Sequence, residues 1–191
     1  MEGYGIVARL GQEKVRTGIK RTLGARRTPG SQYVRPMRAY VGLGANLGDR
    51  EGTIRRAVAL LEATPGIRVT AVSTLRETEP WGPVEQPRFL NGAVEVETGL
   101  EPRALLDVLL DVERRLGRTR EGERFGPRTI DLDLLLVGET VVDESGLTLP
   151  HPRLHERRFA LEPLAELAPD AVLPGRGTVS ELLAARDIDP V

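Results

Sequence analysis

Two segments of helical period, each bracketed by segments of strand period, set the limits on how residues 39–191 can fold. Residues 39–43 (AYVGL) are a short apolar run ending in Gly44-Ala45-Asn46, a strand followed by a turn. Asp49 precedes a pattern with Ile54, Ala57, Val58, Leu60 and Leu61 on one face, which predicts a helix stopped by Pro65-Gly66. Residues 67–75 set Val69, Ala71 and Ser73 against Thr70, Val72 and Thr74, as a strand does. Residues 77–88 hold three prolines and little regular pattern, and alternation returns over residues 89–97. Pro102 stands where a second helix begins, with Leu105, Leu106, Leu109, Val112 and Leu116 as its stripe up to Gly117. A polar loop over residues 118–128 feeds the strongest strand of the chain, residues 130–137 (IDLDLLLV). Gly138-Glu139 then turns the chain toward residues 140–142, and weaker helical patterns follow near 159–167 and 178–185.

The order strand-helix-strand-strand-helix-strand is the split βαβ pattern of ferredoxin-like folds. It predicts an α+β domain over residues 39–191, an antiparallel sheet with helices packed on one face and C-terminal additions. Residues 1–38 read differently. They carry nine Lys or Arg and two Asp or Glu, few apolar residues and the breakers Pro29-Gly30 and Pro36. Such a segment cannot bury enough surface to offset its ordering entropy, and it is expected to be a basic, disordered extension. Three uses are open to it: an organellar transit segment, a nucleic-acid-binding arm, or a dispensable extension with Met37 opening the domain. The last is favoured. Cysteine is absent, which excludes disulfides, thiol nucleophiles and iron–sulfur clusters. Both lysines, Lys14 and Lys20, lie in the extension, so the remainder holds no P-loop of the GxxxxGK[ST] kind. No run approaches a membrane span, and a cytoplasmic location is expected.

Asp131 and Asp133 flank Leu132, and strand alternation puts both carboxylates on one face, about 7 Å apart. Leu132, Leu134 and Leu136 then share the opposite, core-facing side. Two acids facing one way repel unless a cation sits between them, and Mg²⁺ commonly takes one or two carboxylates plus substrate phosphates. An edge strand with two solvated acids is the plainer reading of such a pair. Just upstream, Arg118, Arg120, Arg124 and Arg128 lie in a loop punctuated by Gly117, Gly122, Gly126 and Pro127. Their planar, permanently charged forks match phosphate oxygens, so the constellation points to phosphate chemistry. His151 is pinned between Pro150 and Pro152, with Arg157 and Arg158 nearby, whereas His155 reads as a surface residue. Trp81, Phe89, Phe125 and Phe159 all fall beside these segments, where they could hold a planar heterocycle or pack as ordinary core. Asn91 offers a donor and an acceptor to a pterin- or purine-like edge.

Three segments closely resemble the 6-hydroxymethyl-7,8-dihydropterin pyrophosphokinase family: YVGLGANLGDR, ETEPWGPVEQPRFLNGAVEVET, and RFGPRTIDLDLLLVG followed by LPHPRLHERRFALEPL. The resemblance implies transfer of pyrophosphate from ATP to the pterin hydroxymethyl group, with release of AMP, in folate biosynthesis. It implies two Mg²⁺ ions on Asp131 and Asp133, with Arg118 and Arg128 as catalytic-loop arginines. It assigns Glu113, Arg120, Arg124, Leu134, Thr148, His151 and Arg157 to ATP. The pterin would take Phe89 and Phe159 as stacking aromatics, Asn91 at the ring edge, and Thr78, Pro80 and Trp81 in a contacting loop. The loops over residues 78–88 and 118–128 are expected to close over bound ATP. Phe125 stands where the family often has tryptophan, and Pro152 where some members have tyrosine. The resemblance implies small-molecule substrates, with no membrane or nucleic-acid partner and a monomeric state. A nucleic-acid-binding module and a catalytically dead pterin-binding relative are the alternatives.

Overall fold

The computed structural model describes residues 36–81, 83–119 and 126–188. The basic extension falls outside these residues up to position 35, as do residues 120–125 of the arginine-rich loop. Strand β1 (Met37–Ala45) begins two residues before the expected boundary. Helix α1 (Arg50–Glu62) starts at Asp49, whose side chain accepts from the Gly52 N–H at 3.0 Å, a standard N-cap. It buries Thr53, Ile54, Ala57 and Leu61 and ends before Gly66, which sits at φ +84°. Strands β2 (Ile67–Val72), β3 (Arg76–Thr78) and β4 (Phe89–Thr98) follow. Helix α2 (Pro102–Arg115) has proline in its first turn and buries Leu105, Leu109 and Val112. Strand β5 is Asp131–Val137.

The sheet runs β2-β4-β1-β5 with every neighbouring pair antiparallel, the expected ferredoxin-like order. The single strand expected over residues 67–75 is broken. Strand β2 pairs with the far half of β4 and β3 with its near end, Arg76 opposite Asn91 and Thr78 opposite Phe89. Leu75 lies over Gly92 at the break, so closely that a Cβ on Gly92 would come within 2.6 Å of it. The short strand β3, in a stretch whose prolines hide its pairing, was not expected.

Beyond β5 the chain forms a hairpin of β6 (Val142–Glu144) and β7 (Leu147–Leu149), so the turn at Gly138 does not fold back onto β5. A 3₁₀ turn (Leu154–Glu156), helix α3 (Arg158–Leu167), a two-residue ribbon of β8 (Val172–Leu173) and β9 (Gly177–Thr178), and helix α4 (Val179–Ile188) complete the described chain.

Helices pack on both faces of the sheet, not on one. Ala39, Val41, Leu43 and Ala45 of β1 meet Ile54 and Leu61 of α1 and Leu105 and Leu109 of α2 in a first core. Tyr40 and Leu136, on the other face, meet Leu161 and Leu164 of α3 and Val179 of α4 in a second. The leucine run of β5 serves both. Leu134 stands opposite Val41 but Leu136 opposite Tyr40, so Leu135 is the extra residue of a β-bulge. Leu132 and Leu134 enter the first core, whereas Leu135 and Leu136 enter the second, which departs from the strict alternation expected for Leu136. The Leu135 carbonyl, freed by the bulge, accepts the His151 N–H at 2.9 Å and anchors the turn after β7.

Leu135 is 2% exposed, and Leu135→Ala is expected to cost about 2–5 kcal/mol of unfolding free energy. Urea denaturation should show a lower midpoint at unchanged slope, and an unchanged midpoint would contradict the packing described.

Candidate active site

The face of the sheet opposite α1 and α2 is left open at one end, and its floor is made of glycine. On β1, Gly42 lies opposite Asp133 and Gly44 opposite Asp131, while Gly44 also pairs with Asn91 across β4. A Cβ on Gly44 would fall 2.8 Å from Asn91 Oδ1, 3.7 Å from Asp131 Cβ and 3.8 Å from the Phe89 ring. The first of these is closer than a Cβ can be, so a side chain at this position would displace Asn91.

One cavity opens there, and a second adjoins it between β5, α2 and β7. The first, about 180 Å³, is walled by Trp81, Phe89, Phe159 and Asn91, together with Glu79 and Gln86. The second, about 370 Å³, is walled by Leu106, Leu110, Leu134, Leu147, Thr148 and Pro152. Arg118, Asp131, Asp133 and His151 line both, so the cavities meet at the carboxylate pair.

At this junction Asp131 accepts from Arg118 Nη1 at 2.5 Å on one oxygen and from Arg128 Nη1 at 2.7 Å on the other. Glu113, on the last turn of α2, is buried behind them. Its carboxylate accepts from Arg118 and from the Leu132 N–H at 2.8 Å, which ties the loop stem to β5. Burial works against the Arg118 charge, but the Asp131 and Glu113 carboxylates outweigh it and raise its pKa. Burial, and then the charge of Asp131, push the Asp133 carboxyl up to about 6, although Arg157 faces it at 3.3 Å. Arg157 Nη1 is spent on Asp133, while its Nε is buried without a hydrogen-bond partner.

The similarity of the chain to known proteins bears directly on this junction. The sequence profile of the family described as 7,8-dihydro-6-hydroxymethylpterin-pyrophosphokinase (HPPK) matches residues 40–169. The chain belongs to this family. It is 51% identical over 150 residues to the 2-amino-4-hydroxy-6-hydroxymethyldihydropteridine pyrophosphokinase of Methylorubrum extorquens, covering 78% of this chain and 94% of that one. The enzyme of the same name from Bacillus subtilis is 50% identical over 129 residues, covering 68% and 77% of the two chains. Among solved structures, a Plasmodium falciparum HPPK-DHPS with pteroate superposes with a TM-score of 0.64 at 14% identity. That match covers 82% of this chain and 44% of the other, so it supports the fold, and this chain spans under half the length of that protein.

The structure brings most of the family's expected site residues together. Trp81, Phe89, Asn91, Phe159, Arg128 and Arg157 line the first cavity, and Glu113, Leu134 and Thr148 the second. Thr78 and Pro80 are half-buried in the lip of the first cavity without lining it, and Thr78 Oγ1 accepts from Asn91 Nδ2 at 2.7 Å. Arg120, Arg124 and Phe125 lie outside the described residues. His155 is not a fully solvated residue, because its side chain is 17% exposed and its carbonyl accepts from Arg186 Nε at 3.1 Å.

Sequence reasoning missed Asn46. It is 3% exposed, donates Nδ2 to Gln86 Oε1 at 3.1 Å and to the Pro87 carbonyl at 3.0 Å, and accepts the Arg128 N–H on Oδ1 at 2.8 Å. One amide therefore joins the segment that carries Trp81 to the stem that carries Arg128. It read as a turn residue, although its place in GANLGDR was visible.

His151 is held neutral. Burial, and then the charge of Arg157, lower its pKa from 6.5 to about 4, while its Nδ1 accepts the Arg153 N–H at 3.3 Å. The unfolded chain takes up this proton near pH 6.5 and the folded chain only near 4, so the unfolded state binds more protons in between. The stability contributed by His151 is complete above pH 6.5 and is lost as the pH falls through about 4. The wild-type chain should therefore lose stability more steeply than His151→Asn across that window in urea titrations. Parallel losses would contradict a buried neutral imidazole.

Proposed function

We propose that the two cavities divide the substrates of a pyrophosphokinase, the pterin in the first and ATP in the second, with the reacting groups at the junction they share. Family membership makes the chain an ATP-dependent pyrophosphokinase that acts on 6-hydroxymethyl-7,8-dihydropterin in folate biosynthesis. The hydroxymethyl oxygen attacks the β-phosphorus, the bond between the α- and β-phosphates breaks, and AMP leaves while its former β- and γ-phosphates stay on the pterin. The hydroxyl proton passes to water or to a carboxylate of the junction.

The shared lining of the two cavities carries this reading. The first suits a flat ring system, with Phe89 and Phe159 available for its faces and the Asn91 amide for its polar edge. The second offers apolar walls from Leu106, Leu110 and Leu134 for a nucleoside and reaches the arginines at its inner end. Arg118 lines both and Arg128 the first, each paired to Asp131 at the junction, and their forks match the oxygens of the phosphates being transferred.

The donor set at the junction fits Mg²⁺. Asp131 and Asp133 are hard oxygen donors on one face, and burial, then the charge of Asp131, raise the pKa of Asp133, which a cation beside it would offset. Among the described residues no group of three or more ligating side chains occurs, so these two carboxylates would hold the metal together with phosphate oxygens of the nucleotide. Bound there, Mg²⁺ would neutralise the triphosphate charge. No helix among the described residues is long and apolar enough to cross a membrane, and a cytoplasmic location agrees with the cysteine-free sequence.

The test is AMP formation from ATP and Mg²⁺ with and without the pterin alcohol. Pterin-dependent AMP is expected, abolished by EDTA and restored by added Mg²⁺. Arg128→Ala should lower kcat about 10²–10³-fold with a smaller change in KM for ATP. Asp133→Ala should lose turnover, and wild-type rates in that variant would remove the carboxylate pair from the mechanism.

A further inference from the structure

We propose that Arg153 is a positioning residue for the pterin cavity: stacked on Trp81, it holds that ring in place as the cavity's outer wall. The inference rests on the assignment of the first cavity to the pterin. Trp81 is the only tryptophan of the chain and is 39% exposed, on a segment without helix or strand. Apolar packing of a partly exposed ring leaves part of its orientation to polar and cationic neighbours.

Cations supply what packing does not. The Arg153 guanidinium carbon lies 4.4 Å from the Trp81 ring centroid, and that of Arg157 lies 5.4 Å from the same ring and 5.7 Å from the Phe159 ring. Both arginines are within the range at which a guanidinium is attracted to an aromatic face. They differ in what else they do. Arg157 faces Asp133 at 3.3 Å, so its place over the ring is tied to the charge at the junction and to whatever anion arrives there. Arg153 lines neither cavity and is fixed from its own side of the structure. Its Nε pairs with Glu156 at 3.3 Å, its N–H donates to His151 Nδ1, and Leu154 beside it is fully buried. The turn thus presents a flat cation to a ring on a segment outside the helices and strands. The planar guanidinium, unlike an ammonium, can lie parallel to the indole, so lysine should replace it only in part.

Because Trp81 is the single tryptophan, its fluorescence reports on the contact without reference to turnover. In the full chain, Arg153→Ala should make Trp81 more accessible to acrylamide and raise KM for the pterin alcohol about three- to tenfold. The kcat and the KM for ATP should stay within about twofold, with Arg153→Lys falling between. Circular dichroism and the thermal midpoint identify a variant that has merely lost its fold, and Arg153→Gln provides a second, bulk-conserving variant. Unchanged quenching, or unchanged pterin KM despite altered quenching, would overturn the proposal. A wild-type chain that forms no pterin-dependent AMP would instead overturn the cavity assignment, and with it any role of Arg153 in pterin binding.

Discussion

Asp131 accepts from Arg118 on one oxygen and from Arg128 on the other, and the buried Glu113 carboxylate grips Arg118 from behind. This alternation of acid and base lets four charged groups share a partly buried spot where any one alone would be strongly disfavoured. It also fixes the two arginines at the meeting point of the cavities, with Arg118 spanning from the end of α2 to β5. Asp133 is the member less well compensated. It has one arginine at 3.3 Å, and its carboxyl is pushed up to about 6. The site is therefore rich in cations around one acid and short of them at the other, which suits a triphosphate arriving together with a metal ion.

Three features of the backbone make that arrangement possible. Gly42 and Gly44 remove side chains from the centre of the sheet where the acids, Asn91 and Phe89 must approach. The bulge at Leu135 brings Leu135 and Leu136 into the second core and frees a carbonyl to anchor His151. Asn46 fastens the segment before β4 to the stem before β5 through three hydrogen bonds of one buried amide. Each is local, yet together they set the distance between the walls of the two cavities.

The ferredoxin-like order was legible because its two helices and four long strands each carry a clean period and end at Asp49, Gly66, Pro102 or Gly117. The second helical layer was not. Its helices α3 and α4 cover a face that the period of β5 assigns to solvent until the bulge is known, and a bulge leaves no mark on a run of identical leucines. Likewise β3 pairs over only three residues beside a proline-rich stretch. At the site, Asp131, Asp133, Arg118 and Arg128 stood out through charge and spacing. Trp81, Phe89, Phe159, Asn91 and His151 were legible from their places beside the charged segments, whereas Glu113, Leu134 and Thr148 were reached through the family resemblance, and the fold gathers both sets. Asn46 and Arg153 escaped notice because each acts through partners far away in sequence, 40 to 82 residues off for Asn46.

Two cavities meeting at one carboxylate pair should move two phosphates as a unit. ATP labelled at the β-phosphorus distinguishes this from single transfer. The label should leave on the pterin, in equal amount to unlabelled AMP. Label recovered in ADP, with the pterin carrying a single phosphate, would contradict it.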